Sequence, residues 1–185
     1  MILLKEINEF NNHKRICIWK DEKIYSSSTK QNLYSMTYDS EYFIEWYEGV
    51  LCVEVLLNLR HASNYAMLCM EYTRSSLDKL YVDVNCNTEN ILFESRVLPS
   101  KRKVQLGLPF EFLEGIDGGL MEYAGKRLPV GNLYIFGGGF DEIGSSIRSF
   151  EDVVKIMVML FSGIKDCDIN NYNFEDIILS ILKEV

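Results

Sequence analysis

From Val50 to Arg60 the side chains alternate: Leu51, Val53, Val55, Leu57 and Leu59 share one side, while Glu54, Asn58 and Arg60 mark the other. A period of two predicts a strand, whose successive side chains point to opposite faces; helical spacing would put Glu54 among the apolar residues. After His61 to Asn64 the alternation resumes from Tyr65 to Thr73 through Ala66, Leu68, Met70 and Tyr72, so the two runs predict an antiparallel hairpin. Leu80 to Val84 and Ile91 to Leu98 predict two more strands around a turn at Asn85 to Asn90. Arg15 to Trp19 and Lys23 to Ser27 flank Asp21 and Glu22 and predict a shorter hairpin, with a short helix in the first ten residues.

After about residue 100 the pattern changes to glycine-rich turns alternating with helical spacing. Pro109 suits the first turn of a helix, predicted to run to about Ile116 before Gly118 and Gly119 weaken it. On that helix Phe110, Leu113, Ile116 and Leu120 share one side, and Glu111, Glu114 and Glu122 form an anionic side. Asn132 to Phe136 predicts a late strand. A second helix is expected from Ser149, as its cap, with Asp152 in the first turn, through Phe161; a third from Asn173 to Lys183, burying Phe174, Ile177, Ile178 and Ile181. Strands first and helices last predict one α+β domain over residues 1–185, an antiparallel sheet from the N-terminal and middle regions with the C-terminal helices packed on one face.

Composition narrows the function. With 185 residues, 48% of them hydrophobic, the chain can bury roughly 70% of its unfolded surface and needs no disulfide or metal to close its fold. The five cysteines are odd in number and widely spread, without a C-x-x-C pair, which predicts reduced thiols in a cytoplasmic protein. No export signal is read at the N-terminus, and the longest strongly apolar run, Val153 to Phe161, contains Lys155 and falls far below the roughly 20 residues needed to cross a bilayer. A soluble protein is expected. The formal charge is −8, from 27 acidic and 19 basic side chains, and no basic cluster is longer than Lys101-Arg102-Lys103. Nucleic acid binding rests on phosphate neutralisation, so that composition disfavours it and favours a basic protein partner; charge kept only for solubility is the plainer alternative.

Gly137-Gly138-Gly139-Phe140-Asp141-Glu142-Ile143-Gly144-Ser145-Ser146 lies between a predicted strand and a predicted helix, where a phosphate-binding loop would sit. It lacks the Gly-Lys-Ser/Thr ending and sets Asp141 and Glu142 where positive charge would be needed, so a tight turn using positive φ accounts for the triplet better. A small-ligand protein or enzyme using this loop remains the alternative reading. His13 and His61 are the only histidines, and neither they nor the cysteines form a spacing that marks a triad or a metal centre, so no catalytic residue, metal or cofactor is assigned. Of the acidic pairs, Glu151-Asp152 and Glu175-Asp176 fall at helix starts, where the macrodipole explains them. Asp141 and Glu142 instead occupy a loop beside Phe140, and exposed acids mixed with aromatics suit a basic protein partner. The candidate interface residues are therefore Phe140, Asp141, Glu142, Glu111, Glu114 and Glu122.

Three segments, Leu106 to Gly115 (LGLPFEFLEG), Leu128 to Ile135 (LPVGNLYI) and Phe140 to Phe150 (FDEIGSSIRSF), resemble bacterial immunity proteins of polymorphic toxin systems, including those of contact-dependent growth inhibition. The resemblance implies a small cytoplasmic protein that binds and neutralises the C-terminal domain of a cognate toxin, often a nuclease with a basic surface. It supplies no catalytic residues.

Overall fold

The computed structural model describes residues 3–9, 14–24, 32–59, 62–98 and 102–164. Its strands are β1 (Leu3–Glu9), β2 (Lys14–Lys20), β3 (Leu33–Asp39), β4 (Gly49–Leu59), β5 (Ala62–Arg74), β6 (Lys79–Asn85), β7 (Thr88–Glu94), β8 (Lys103–Gly107) and β9 (Gly131–Phe140). Helix α1 (Leu113–Met121) precedes β9 and α2 (Ile147–Gly163) follows it. The sheet runs β1-β2-β4-β5-β9-β6-β3, with β8 paired to the far end of β9 and β7 to β8. Every pairing is antiparallel except β6 with β9. The fold is thus α+β, a mostly antiparallel sheet carrying its helices on one face.

The alternating runs of residues 50–73 form the middle of the sheet, with Gly49 opposite Tyr72 and Leu59 opposite Ala62. Leu51, Val53, Val55 and Leu57 join Leu68, Met70, Leu133, Ile135, Leu80 and Val82 beneath Ile116 and Leu120 of α1 and Val153, Met157 and Phe161 of α2. The opposite face is covered too. Cys17, Trp19, Cys52, Leu56, Tyr65, Met67 and Cys69 pack against Val97, Leu98, Val104 and Leu106. Burial on both sides explains why Val50 to Leu57 of β4 and Tyr65 to Met70 of β5 are apolar at every position but one.

Glu54 is the exception, and it is fully buried. Its carboxylate accepts hydrogen bonds from the Tyr65 hydroxyl at 2.9 Å, the Arg96 N–H at 3.0 Å and the Ser95 hydroxyl. Burial pushes its pKa up, and those donors pull against it. Ser95 Oγ in turn accepts from the N–H groups of Val97 and Leu98, so this carboxyl pins the segment that closes the second core.

Several expectations are corrected. Leu3–Glu9 is a strand, because the edge of β2 offers its backbone a partner that a short isolated helix lacks. Strand β2 pairs with β1 and β4; Lys23 and Ile24 belong to no strand, and residues 25–27 lie outside the described residues. The strand expected at Ile91 to Leu98 starts at Thr88 and ends at Glu94, where Ser95 turns the chain. Helix α2 starts at Ile147: Ser146 caps it and Ser149 returns the bond to the Ser146 N–H. The late strand continues through the glycine triplet to Phe140, and none of the three glycines has a positive φ. A Cβ on Gly138 would stand 2.8 Å from the Met67 carbonyl oxygen, so close approach to β5 accounts for glycine there. The third helix, His13, His61 and Cys167 lie outside the described residues. Cys17, Cys52, Cys69 and Cys86 are buried, and burial raises the Cys86 thiol to about 11. Among the described residues, no helix is long and apolar enough to cross a membrane.

Candidate partner-binding surface

Between Val104 and Gly125 the sequence holds four acids, Glu111, Glu114, Asp117 and Glu122, and no lysine, arginine or histidine. Pro109 leads into a short 3-10 turn at Phe110–Phe112, which continues into α1. Phe112 turns inward and stacks on Phe150 at 4.3 Å, anchoring the turn, whereas Phe110 points out and is 60% exposed. Gly115 and Gly119 then let α1 lie directly on α2: a Cβ on Gly115 would stand 2.2 Å from the Ile147 carbonyl oxygen, and one on Gly119 2.8 Å from Val154. That contact decides which face of α1 looks outward; Glu114 and Asp117 lie on it, and Glu111 of the 3-10 turn precedes them at the same spacing of three.

These acids rim a depression of about 520 Å³ whose apolar lining is Met36, Phe110, Leu113 and Ile147. The Tyr34 ring, 5.0 Å from Phe110, carries the apolar surface onto β3. Asp117 accepts a 2.6 Å hydrogen bond from the buried Tyr38 hydroxyl. Burial first and Asp117 second push the Tyr38 phenol above its ordinary pKa, which keeps it a donor. Among the described residues, no cation pairs with Glu111, Glu114 or Asp117.

The other expected site residues fare differently. Glu122 closes the far end of α1 against α2 through Lys155, 2.5 Å away, and Lys155 also holds Glu151 at 2.8 Å. The hydrogen bond from Lys155 is the leading cause of the lowered Glu151 pKa. Asp141, expected to be exposed, is 6% exposed and pairs with Arg102 at 3.1 Å. Its N–H donates to Ser145 Oγ, and the Ser145 hydroxyl donates to the Tyr65 carbonyl at 2.7 Å, tying the turn after β9 to β5. Phe140 is half-buried and lies 5.9 Å from Phe112. Glu142 is exposed and accepts from Gln105 Nε2 at 2.6 Å, beside Ile143, which is 84% exposed. The structure therefore brings Glu111 and Glu114 to one groove, leaves Glu142 outward on a separate turn, and uses Asp141, Phe140 and Glu122 for packing and ion pairing.

Sequence reasoning missed Asp117, Met36, Ile147 and the whole of β3. A signal existed. Tyr34, Met36 and Tyr38 alternate with Ser35, Thr37 and Asp39, which is a strand pattern, and Asp117 continues the three-residue spacing of Glu111 and Glu114. No protein family, curated protein or solved structure matches the chain.

Proposed function

We propose that this protein binds and neutralises a cognate toxin domain with a basic surface, engaging it through the acid-rimmed groove of α1 and β3. The observation that carries the reading is the groove: exposed Phe110 and Ile147 beside Glu111 and Glu114, which have no cationic partner among the described residues. Exposed aromatic and aliphatic side chains supply area to bury, and unpaired carboxylates around them supply steering and charge pairing to a cationic protein. Charge on this scale acts mainly on the association rate, because oppositely charged surfaces find each other faster than neutral ones. The resemblance of segments 106–115, 128–135 and 140–150 to immunity proteins narrows the partner from any basic protein to a toxin domain, and the groove residues Phe110, Glu111, Leu113 and Glu114 fall inside the first of them.

Co-expression with the product of the gene immediately upstream, which the reading expects to be the toxin, tests it. Growth is restored and the two proteins co-purify if it is right. Growth arrest unchanged by co-expression, with both proteins present in soluble form, refutes it.

A further inference from the structure

Strand β3 ends the sheet, pairing only with β6 among the described residues. The Cys86 N–H donates to the Asn32 carbonyl, and the register runs without a shift from Leu33 opposite Asn85 to Asp39 opposite Lys79. An antiparallel ladder alternates, so the main-chain groups of Tyr34, Met36 and Tyr38 face β6 and those of Leu33, Ser35, Thr37 and Asp39 face outward. The Gly125 N–H bonds the Asp39 carbonyl, as that parity requires, and among the described residues no backbone group bonds Leu33, Ser35 or Thr37 on the outer side. Exposed edges are usually blunted by lysine, proline or a bulge. The sequence Leu-Tyr-Ser-Met-Thr-Tyr-Asp has none of the three. At the other edge β1 carries Lys5 and a register shift.

Among the described residues both faces of this edge are also open. On the helix side lies the acid-rimmed groove, and on the other a depression of about 470 Å³ lined by Ser35, Thr37, Leu77, Tyr81, Asp83 and Asn132. Met36 borders both. We infer that the outer edge of β3 pairs with an extended, arginine-bearing segment of the partner, in a parallel or antiparallel ladder; this deepens the toxin-binding reading and rests on it. Side chains of an added strand alternate between the faces. Arginines on the helix side lay their stems over Tyr34 and Phe110 and reach Glu111 and Glu114, while small polar or β-branched residues meet Ser35 and Thr37 on the other.

The test is amide hydrogen exchange by NMR on the isotope-labelled full chain, with and without about 1 mM of a peptide of alternating arginine and threonine, a concentration that detects even millimolar binding. The Leu33, Ser35 and Thr37 amides slow at least about twofold, the factor that half occupancy at a millimolar Kd allows, while those of Tyr34, Met36 and Tyr38, already bonded to β6, are unchanged. Ser35→Pro removes an outward N–H and abolishes the effect, whereas Ser35→Ala, which loses only the 2.6 Å bond to Asp83, retains it. Matched urea midpoints for the two variants exclude unfolding as the cause. Unchanged outward amides, equal protection by a glutamate-threonine peptide, or protection arising without peptide from pairing of two copies of this chain each overturn the inference. Growth protection that fails while the amides are protected sinks the toxin reading alone; protection of growth with unprotected amides sinks strand pairing alone.

Discussion

Gly118 and Gly119 are adjacent in sequence and opposite in surroundings, which makes the packing of α1 on α2 directly testable. Alanine at Gly118 adds a methyl whose nearest neighbours are Glu151 Cγ at 3.9 Å and Cδ at 4.0 Å, ordinary contacts. Only helix propensity acts there, favouring alanine by about 0.8–1.0 kcal/mol. Alanine at Gly119 brings the same propensity gain, but its methyl meets Val154 Cβ and Cγ1 at 2.8 Å and the Glu151 carbonyl oxygen at 2.9 Å. Overpacking of that kind costs about 1–3 kcal/mol, leaving a net loss of up to about 2 kcal/mol. At Gly115 the obstacle is backbone, the Ile147 carbonyl oxygen at 2.2 Å, so the two helices must separate and the net loss is about 2–3 kcal/mol. For a chain of this length each kcal/mol moves Tm by about 2–4 °C. Thermal scans and urea curves with unchanged m-values should therefore show Gly118→Ala rising by about 2–4 °C, Gly119→Ala falling by up to about 8 °C and Gly115→Ala falling by about 4–12 °C. Three rises of similar size would refute the reasoning, since propensity alone would then govern all three positions.

Glu54→Gln checks the buried carboxyl. Its folded pKa is raised, so its contribution to stability is complete below the ordinary carboxyl range and is lost as pH rises through the folded value. Glutamine does not titrate, so the variant gains on the wild type between pH 4 and pH 8 in urea denaturation; a difference independent of pH contradicts the assignment. Gly138→Ala should lower stability by about 1–3 kcal/mol, because its methyl meets the Met67 carbonyl oxygen inside a paired strand, and phosphate should not change that loss. A variant as stable as the wild type would mean that the glycine serves something other than strand approach.

How far the fold could be read depended on how local its causes are. The β4–β5 hairpin was legible because Leu51, Val53, Val55 and Leu57 alternate within one segment. Glu54 misled because carboxylates usually mark a wet face, and the donors that make its burial tolerable, Tyr65, Ser95 and Arg96, arrive from elsewhere in the chain. The glycine triplet reads the same whether it serves a turn or a close strand contact; only the position of β5 distinguishes them. The same holds for the site. Glu111 and Glu114 follow from helical spacing around Pro109, but the burial of Asp141 depends on Arg102, 39 residues away. Glu122 likewise looked like part of an anionic face until α2 brought Lys155 beside it.

The most direct test of the central proposal is the association rate of the chain with the product of the gene immediately upstream, which the proposal expects to be the toxin, measured for the wild type and for Glu111→Lys/Glu114→Lys at about 50 and 500 mM salt, spanning the range where surface charges pass from felt to screened. Both glutamates are exposed but lie in the first turns of the 3-10 turn and α1, so the folded spectrum should stay at the wild-type shape while Tm falls by a few degrees as helix-start charge is reversed. The wild type should associate much more slowly at high salt, and the double variant should associate at least about tenfold more slowly than wild type at low salt with a flattened salt dependence. Equal rates and equal salt dependence for the two proteins would contradict the acid-rimmed groove as the toxin's binding surface.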